Sequence, residues 1–169
     1  MRLRSYLADA HRFSISRTIL ALTTVFLLLG APALQAAEVN PFKTLLGSWK
    51  GSGTFSLQDG ARERISCNAY YTGGGSQLRL AILCQSSNNK IHMRGKLSYS
   101  GGQLSGSWEE RTFHADGILK GKTSKNRLKM KISGNITGSM LVSYGKRRQS
   151  VQIKITGSNL KTVSIKLAR

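Results

Sequence analysis

Residues 62–85 read RERISCNAYYTGGGSQLRLAILCQ, and this stretch decides the fold. Every second residue in each half is apolar, and the halves are joined by Gly73-Gly74-Gly75. Because side chains alternate between the two faces of a strand, the pattern predicts two strands with one apolar face each. Folding the chain back at the glycines places Cys67 opposite Cys84 and aligns both apolar faces. The stretch predicts a β-hairpin with a buried disulfide, and the alternative is two unpaired thiols.

Short alternating runs of the same kind continue to residue 168. Turn dipeptides such as Asp59-Gly60 and Gly101-Gly102 separate them at the spacing typical of sandwiches and barrels. We expect strands over 46–57, 62–71, 77–85, 90–99, 103–113, 117–123, 127–133, 138–144, 149–156 and 160–168. No longer 3.6-residue periodicity remains for a helix beyond one turn around residues 42–46. The sequence predicts one all-β domain over 37–169, a single antiparallel up-and-down meander of about 8–10 strands that closes into a barrel.

The first 36 residues have the pattern of a secretory signal peptide. Four arginines and one aspartate precede an apolar run over residues 19–30, and small residues follow up to Ala37. A transmembrane anchor is the alternative, which the short run disfavours because a spanning helix needs about 20 apolar residues. We therefore predict a signal peptide over 1–36 and a periplasmic or secreted protein with no transmembrane segment after cleavage. An oxidising compartment agrees with the predicted disulfide.

Residues 37–169 are strongly basic, with 22 Lys and Arg against 6 Asp and Glu, and all 13 charged residues after Asp116 are basic. For an exported protein, the polyanions within reach are anionic envelope lipids, lipopolysaccharide and acidic polysaccharides. Few aromatic residues interleave the lysines, which disfavours nucleic acid as a partner. We predict an envelope-associated binding protein whose basic outer face docks to such anions. The alternative is a charged surface that only keeps the protein soluble.

Seven residues form the predicted anion-binding surface: Lys129, Lys131, Lys146, Arg147, Arg148, Lys154 and Lys166. Most of them alternate with apolar residues along predicted strands, and Lys146-Arg147-Arg148 falls at a predicted turn. Since the apolar residues face the core, these basic side chains are expected on the outside or the rim of the barrel.

Two segments resemble each other, residues 46–51 and residues 104–109. Each places a tryptophan, Trp49 or Trp108, directly after Gly-Ser within a predicted strand. One interpretation is a barrel of two halves with a ligand cavity between the tryptophans. The other is that the small residues let the barrel bend tightly while tryptophan fills one end.

The start Leu46-Gly47-Ser48-Trp49 resembles the Gly-x-Trp signature of the calycins, which include lipocalins, avidins and fatty-acid-binding proteins. With its ending Gln149-Ser150-Val151 to Val163-Ser164-Ile165, the chain is also similar to small exported bacterial β-barrel proteins of unknown function. The calycin resemblance implies a carrier of a small hydrophobic ligand inside the barrel, which is our second hypothesis. A third is an exported protein inhibitor of lysozyme, which is disfavoured because lysozyme and this chain are both basic.

Catalytic groups do not stand out in the sequence. His92 is expected on the outer face and His114 at a strand end, so neither suits a metal or haem site. Glu109 and Glu110 are adjacent and therefore point to opposite faces, so they cannot act as an acid–base pair. An inward-facing Glu110 is either a catalytic acid or, in the interpretation that we favour, paired with an arginine: Arg64, Arg79 or Arg111. The sequence predicts no enzyme, no cofactor and no metal.

Overall fold

The computed structural model describes residues 40–169. They form ten strands: β1 (Gly47–Leu57), β2 (Arg62–Gly74), β3 (Gln77–Gln85), β4 (Lys90–Ser100), β5 (Gln103–Glu110), β6 (Ala115–Ser124), β7 (Arg127–Gly134), β8 (Thr137–Tyr144), β9 (Arg148–Thr156) and β10 (Leu160–Ala168). Each strand pairs antiparallel with the next, and β1 also pairs with β10, which closes the barrel. The predicted all-β meander and its closure are confirmed. The predicted signal peptide over 1–36 lies outside the described residues.

The hairpin of β2 and β3 has the register that its sequence predicts. Cys67 lies opposite Cys84, and their sulfurs are bonded. Ala69 lies opposite Ile82, as expected from the same fold-back at the glycines. Both cysteines are buried, so the disulfide staples two neighbouring strands on the inner face. Such a bond is compatible with an oxidising compartment.

Alternation along each strand separates the core from the outer surface. In β7, Leu128, Met130 and Ile132 are buried, while the basic residues between them are exposed. The same alternation continues through β9 and β10. The inward side chains of all ten strands form one hydrophobic core. Burial of these apolar faces is the main source of stability for a sheet of this kind.

The connections between strands divide into two sets, one at each end of the barrel. The open end consists of residues 58–61, 86–89, 111–114, 135–136 and 157–159. The closed end consists of residues 75–76, 101–102, 125–126 and 145–147, together with the turn formed by residues 41–45. This turn lies where the sequence predicts one helical turn before the first strand, around residues 42–46. Among residues 40–169, no helix has the length and apolar character to cross a membrane.

The strand that we expected over 103–113 ends earlier, at Glu110. Residues 111–114 form a turn, and His114 has a φ of 53°. A carboxylate oxygen of Glu110 accepts the Phe113 N–H at 2.6 Å, which holds the turn in place. The alternating sequence pattern does not show this turn, because no glycine, proline or asparagine marks it.

Candidate ligand cavity

The barrel encloses a cavity of about 540 Å³. This volume falls in the range of about 300–1,000 Å³ that is typical of small-molecule sites. The cavity extends from Leu45 at the closed end to Phe113 at the open end, and most of its lining is aliphatic or aromatic. No Lys, Arg or His of the described chain lines it. The interior therefore suits a largely apolar molecule.

The number of strands explains why side chains do not fill the interior. The diameter of a barrel grows with strand number, and about eight strands give an interior that side chains just fill. Here ten strands carry medium-sized residues along the cavity wall, such as Ile82 beside Met93 and Met140 beside Ile153. Ten strands with side chains of this size leave space along the barrel axis.

Aromatic residues fill the closed end. Phe42 and Leu45, from the turn before β1, are each 1% exposed. Phe42 meets the ring of Tyr99 edge-on, with ring centroids 6.2 Å apart. The Trp49 Nε1–H donates to the Leu45 carbonyl oxygen at 2.7 Å, and the Arg169 guanidinium lies over the Trp49 ring. We call Phe42, Leu45, Trp49 and Tyr99 the aromatic plug.

Apolar side chains form the rim of the open end. Phe113 is 60% exposed and also lines the cavity. Leu57, Ile136 and Leu160 are half-buried at neighbouring connections and line the same space. Large exposed apolar groups beside a cavity are typical of an entrance for an apolar ligand. The open end is therefore the route of entry that the geometry favours.

Acidic residues within the described chain are confined to the open end. They lie in its connections or within two residues of them: Asp59, Glu63, Glu109, Glu110 and Asp116. Among residues 40–169 the closed end has no acidic residue, and Lys125, Lys146 and Arg147 lie in its turns. Charge is thus distributed unevenly along the barrel axis.

Glu110 faces inward, as the sequence predicts, but its partners are not arginines. Its carboxylate accepts the backbone N–H groups of His92 at 2.8 Å and of Phe113 at 2.6 Å. The predicted ion pair with Arg64, Arg79 or Arg111 is therefore wrong. Backbone donors satisfy a buried carboxylate without bringing a second charge into the barrel. Glu110 thus joins β4 to the turn at residues 111–114.

A polar pair lies in the cavity wall toward the closed end. Gln149 Nε2 donates to the Tyr71 hydroxyl oxygen at 2.9 Å, and both residues are buried. Burial raises the pKa of the Tyr71 hydroxyl well above its ordinary value. Sequence reasoning missed this pair, although strand parity places both residues on inner faces. The signal was a glutamine at the parity of Val151 in a strand whose other inward residues are aliphatic.

Two buried polar atoms in the described chain have no hydrogen-bond partner, Trp108 Nε1 and Glu63 Oε2. Trp108 lines the cavity, whereas the other carboxylate oxygen of Glu63 lies 3.5 Å from the Asn89 amide nitrogen at the open end. A buried polar group without a partner is rare in folded proteins and costs free energy.

The structure divides the two tryptophans that the sequence predicts for the ligand cavity. Trp108 lines the cavity, and Trp49 does not. Trp49 belongs to the aromatic plug, where Gly51 follows it on the inner face. A Cβ at Gly51 would lie 1.9 Å from the Lys166 carbonyl oxygen, so the backbones approach there too closely for a side chain. The interpretation of a tight bend with a tryptophan at one end therefore applies to Trp49. Of the two tryptophans, Trp108 is the one that lies beside the space for a ligand.

All seven residues of the predicted anion-binding surface are exposed. They fall into three groups on the wall from β7 to β10 and at the closed end. Lys129, Lys131 and Lys154 lie on the outer face, where Ser139 of β8 is opposite both Lys131 and Lys154. Lys146 and Arg147 lie in a turn of the closed end. Arg148 and Lys166 border a shallow depression together with Lys50.

Two solved structures are similar to this barrel in fold. The S-type phycobiliprotein lyase CPES from Guillardia theta matches with a TM-score of 0.55 and 12% identity, over 76% of this chain and 89% of that protein. The protein Rv2717c from M. tuberculosis matches with a TM-score of 0.55 and 17% identity, over 82% of this chain and 98% of that protein. No protein-family model and no curated protein sequence matches the chain. The likeness to the calycin signature stays a prediction.

The comparison corrects one conclusion from the sequence. We predicted that the chain is not an enzyme, because no catalytic motif is recognisable. That prediction is wrong, since the similar barrel from Guillardia theta is a phycobiliprotein lyase. The absence of a known motif does not exclude catalysis in a barrel of this fold. At 12% identity the likeness concerns the fold, so no catalytic residue is carried over to this chain.

Proposed function

We propose that this protein binds a small, largely apolar molecule inside its barrel. The observation that carries the proposal is the cavity of about 540 Å³, which is apolar, closed at one end by the aromatic plug and open at the other. Transfer of apolar surface from water into such a space contributes roughly 25 cal/mol per Å². This function is the carrier hypothesis, and the calycin-like start of β1 favours it as well.

Similarity of fold supports this proposal over docking as the main function. The barrel resembles a protein of similar architecture that is named a phycobiliprotein lyase, and the word lyase denotes a chemical activity. A chemical activity on a small molecule needs a site that encloses it, and the cavity is the enclosed site of the described chain.

Titration with the neutral dye N-phenyl-1-naphthylamine tests the proposal. We expect a saturable rise in dye fluorescence with one site per chain, and displacement of the dye by other neutral apolar molecules. An organic extract of the protein purified from its native source, analysed by mass spectrometry, identifies a resident ligand. Fluorescence that does not saturate, together with an extract free of stoichiometric compounds, would contradict binding in the cavity.

We further propose that a basic wall docks to anionic lipid surfaces. This wall consists of the exposed lysines on the outer face from β6 to β10: Lys120, Lys122, Lys129, Lys131, Lys154 and Lys166. The supporting observation is the cross-strand pairing of lysines on the outer face, Lys120 with Lys131 and Lys122 with Lys129. Like charges directly opposite each other destabilise a sheet, so their presence favours a role outside folding. Each basic residue near an anionic membrane contributes about 1 kcal/mol to binding.

Co-sedimentation with vesicles tests the docking proposal. We expect binding to phosphatidylglycerol-containing vesicles, no binding to phosphatidylcholine vesicles, and release as salt is raised above about 0.15 M. Binding that is equal for both lipids or insensitive to salt would contradict it. Preferential binding to lipopolysaccharide or to an acidic polysaccharide over anionic vesicles would assign the wall to another polyanion.

Export to the periplasm or beyond is the location that we propose. The Cys67–Cys84 bond and the signal-like sequence of residues 1–36 support it. Expression of the full chain, followed by fractionation and mass spectrometry, is the test. We expect an exported product that begins near residue 37. An uncleaved product that remains in the cytoplasm would contradict export.

A further inference from the structure

The indole N–H of Trp108 has no acceptor within the described chain. The residue is 8% exposed, its Nε1 atom is buried, and it lines the cavity. An indole nitrogen is a donor only, so it cannot be satisfied by another donor. A buried donor without an acceptor costs free energy. An acceptor brought by a ligand would remove this cost.

Comparison with Trp49 shows that the fold can satisfy a buried indole. Trp49 Nε1 donates to the Leu45 carbonyl oxygen at 2.7 Å. Around Trp108 the cross-strand neighbours are Gly95 on one side and Gly117 on the other. Glycine brings no side-chain acceptor, and strand backbone oxygens are used in the ladders. No acceptor of the described chain reaches this donor, and the residue that carries it lines the cavity.

The charges around the cavity restrict what that group is. No basic side chain of residues 40–169 lines the cavity, so a ligand anion would find no counter-ion there. Glu110 lies on the same inner face two residues along the strand, so its Cα atom is about 7 Å from that of Trp108. Both of its oxygens already accept backbone N–H groups, and its negative charge would repel a carboxylate or phosphate. Burying an unpaired anion is strongly unfavourable.

We propose that Trp108 Nε1 donates a hydrogen bond to a neutral oxygen acceptor, such as a ketone, ester or amide carbonyl, on an otherwise apolar ligand. The inference rests on the proposed ligand binding and specifies the chemistry of its ligand. It assigns Trp108 a recognition role, whereas the aliphatic wall only provides apolar contact.

Three probes of nearly equal shape test the assignment. 2-Acetylnaphthalene carries a neutral carbonyl, 2-ethylnaphthalene replaces that carbonyl by CH₂, and 2-naphthoate carries an anionic carboxylate. We expect the first two to bind the native protein and the third to bind much more weakly. In ¹H–¹⁵N spectra, the chain's two indole signals provide an internal comparison. The Trp108 signal should move downfield with 2-acetylnaphthalene beyond the shift caused by 2-ethylnaphthalene, and the Trp49 signal should stay in place.

Affinities for the Trp108→Phe variant complete the test. A single neutral hydrogen bond corresponds to about a threefold to tenfold change in affinity. The ratio of the dissociation constant of 2-acetylnaphthalene to that of 2-ethylnaphthalene should rise by this factor in the variant. The double comparison cancels general effects of the substitution on the cavity.

The outcomes separate this inference from the proposal beneath it. If neither neutral probe binds, ligand binding in the cavity is wrong, and the inference is overturned with it. If both bind, but the ratio is unchanged in Trp108→Phe and the indole signal responds equally to both, the role of Trp108 alone is overturned. Binding of 2-naphthoate as tight as that of 2-acetylnaphthalene would overturn the restriction to neutral acceptors. Should Trp108→Phe fail to fold, the indole signals of the native protein decide.

Discussion

The guanidinium carbon of Arg169 lies 4.4 Å from the centroid of the Trp49 ring. The same guanidinium donates to the carbonyl oxygens of Thr44 at 3.0 Å and Lys146 at 2.9 Å. One side chain thereby joins the turn before β1, the turn between β8 and β9, and the aromatic plug. Arginine suits this position because its planar group can stack on an aromatic ring and donate in several directions at once.

Arg169→Ala should weaken the closed end. We expect the free energy of unfolding to fall by about 1–2 kcal/mol, since a cation–π contact and charge-assisted hydrogen bonds are lost together. Denaturation in urea measures the change. Arg147→Ala is the control, because it removes the same charge from an exposed side chain at the same end. Equal effects of the two substitutions would show that net charge, not the contact with Trp49, determines the change.

Removal of the disulfide should cost stability without affecting function. Its cysteines are 17 residues apart, and a loop of about this length contributes about 3 kcal/mol in the chain-entropy model. Cys67→Ala with Cys84→Ala should therefore unfold at a lower urea concentration. Vesicle binding should remain unchanged, since both sulfurs face the core and the basic wall lies elsewhere. A folded variant that no longer binds vesicles would refute this separation.

Alkaline pH should destabilise the barrel through Tyr71. Burial raises the pKa of its hydroxyl above the ordinary value of about 10, so the folded state keeps a proton that the unfolded chain releases. The stabilisation is complete below about pH 10 and is lost as the pH rises toward the folded pKa, by up to about 1.4 kcal/mol per pH unit. Urea unfolding from pH 8 to pH 11 measures this slope.

Two variants assign the alkaline slope. Tyr71→Phe should reduce it, while Tyr70→Phe, which alters the exposed neighbour on the outer face, should leave it unchanged. Some slope should remain in Tyr71→Phe, because burial and the charge of Tyr99 also raise the pKa of Tyr144. A slope that is identical in the two variants would contradict the role of Tyr71.

Filling the cavity should abolish ligand binding. Ile82 lines the cavity, whereas its neighbour Leu83 is 39% exposed on the outer face. Ile82→Trp should reduce the affinity for N-phenyl-1-naphthylamine at least tenfold, because the larger side chain occupies the ligand's space. Leu83→Trp introduces the same side chain outside the barrel and should bind the dye normally. A dye affinity that falls equally in both variants would place the dye elsewhere.

The lysines of β7 should dominate binding to anionic vesicles. Lys129→Gln with Lys131→Gln should weaken binding about tenfold to thirtyfold, given about 1 kcal/mol for each basic residue near the membrane. Lys90→Gln with Lys96→Gln removes the same charge from β4, outside the basic wall, and should have a smaller effect. If both pairs of substitutions weaken binding alike, total charge explains docking and the basic wall has no special role.

The strands could be predicted closely because their signals are local. The strand expected over 77–85 is β3 (Gln77–Gln85), bounded on one side by glycines and on the other by Asn88-Asn89. Inward and outward positions followed from alternation, as for Glu109 and Glu110. The disulfide could be predicted because a single hairpin register determines which residues are opposite each other.

A cavity beside Trp108 was one interpretation of the sequence, but its volume and full lining could not be predicted, because they depend on how the sheet closes. Tyr71 and Gln149 are 78 residues apart, and they meet only because β1 pairs with both β2 and β10. The partners of Glu110 were missed for another reason. Backbone N–H groups are present at every position and leave no mark in the sequence, whereas arginines are visible and drew the prediction toward an ion pair.

Within residues 40–169, the confinement of acidic residues to the open end makes the barrel an electric dipole along its axis. A negatively charged surface exerts a torque on such a molecule and turns the end that carries Lys125, Lys146 and Arg147 toward it, while the basic wall makes the contact. We expect the open end to point into solvent while the protein is held at the surface. Ligand exchange and surface attachment could then proceed independently, because the entrance to the cavity is not covered.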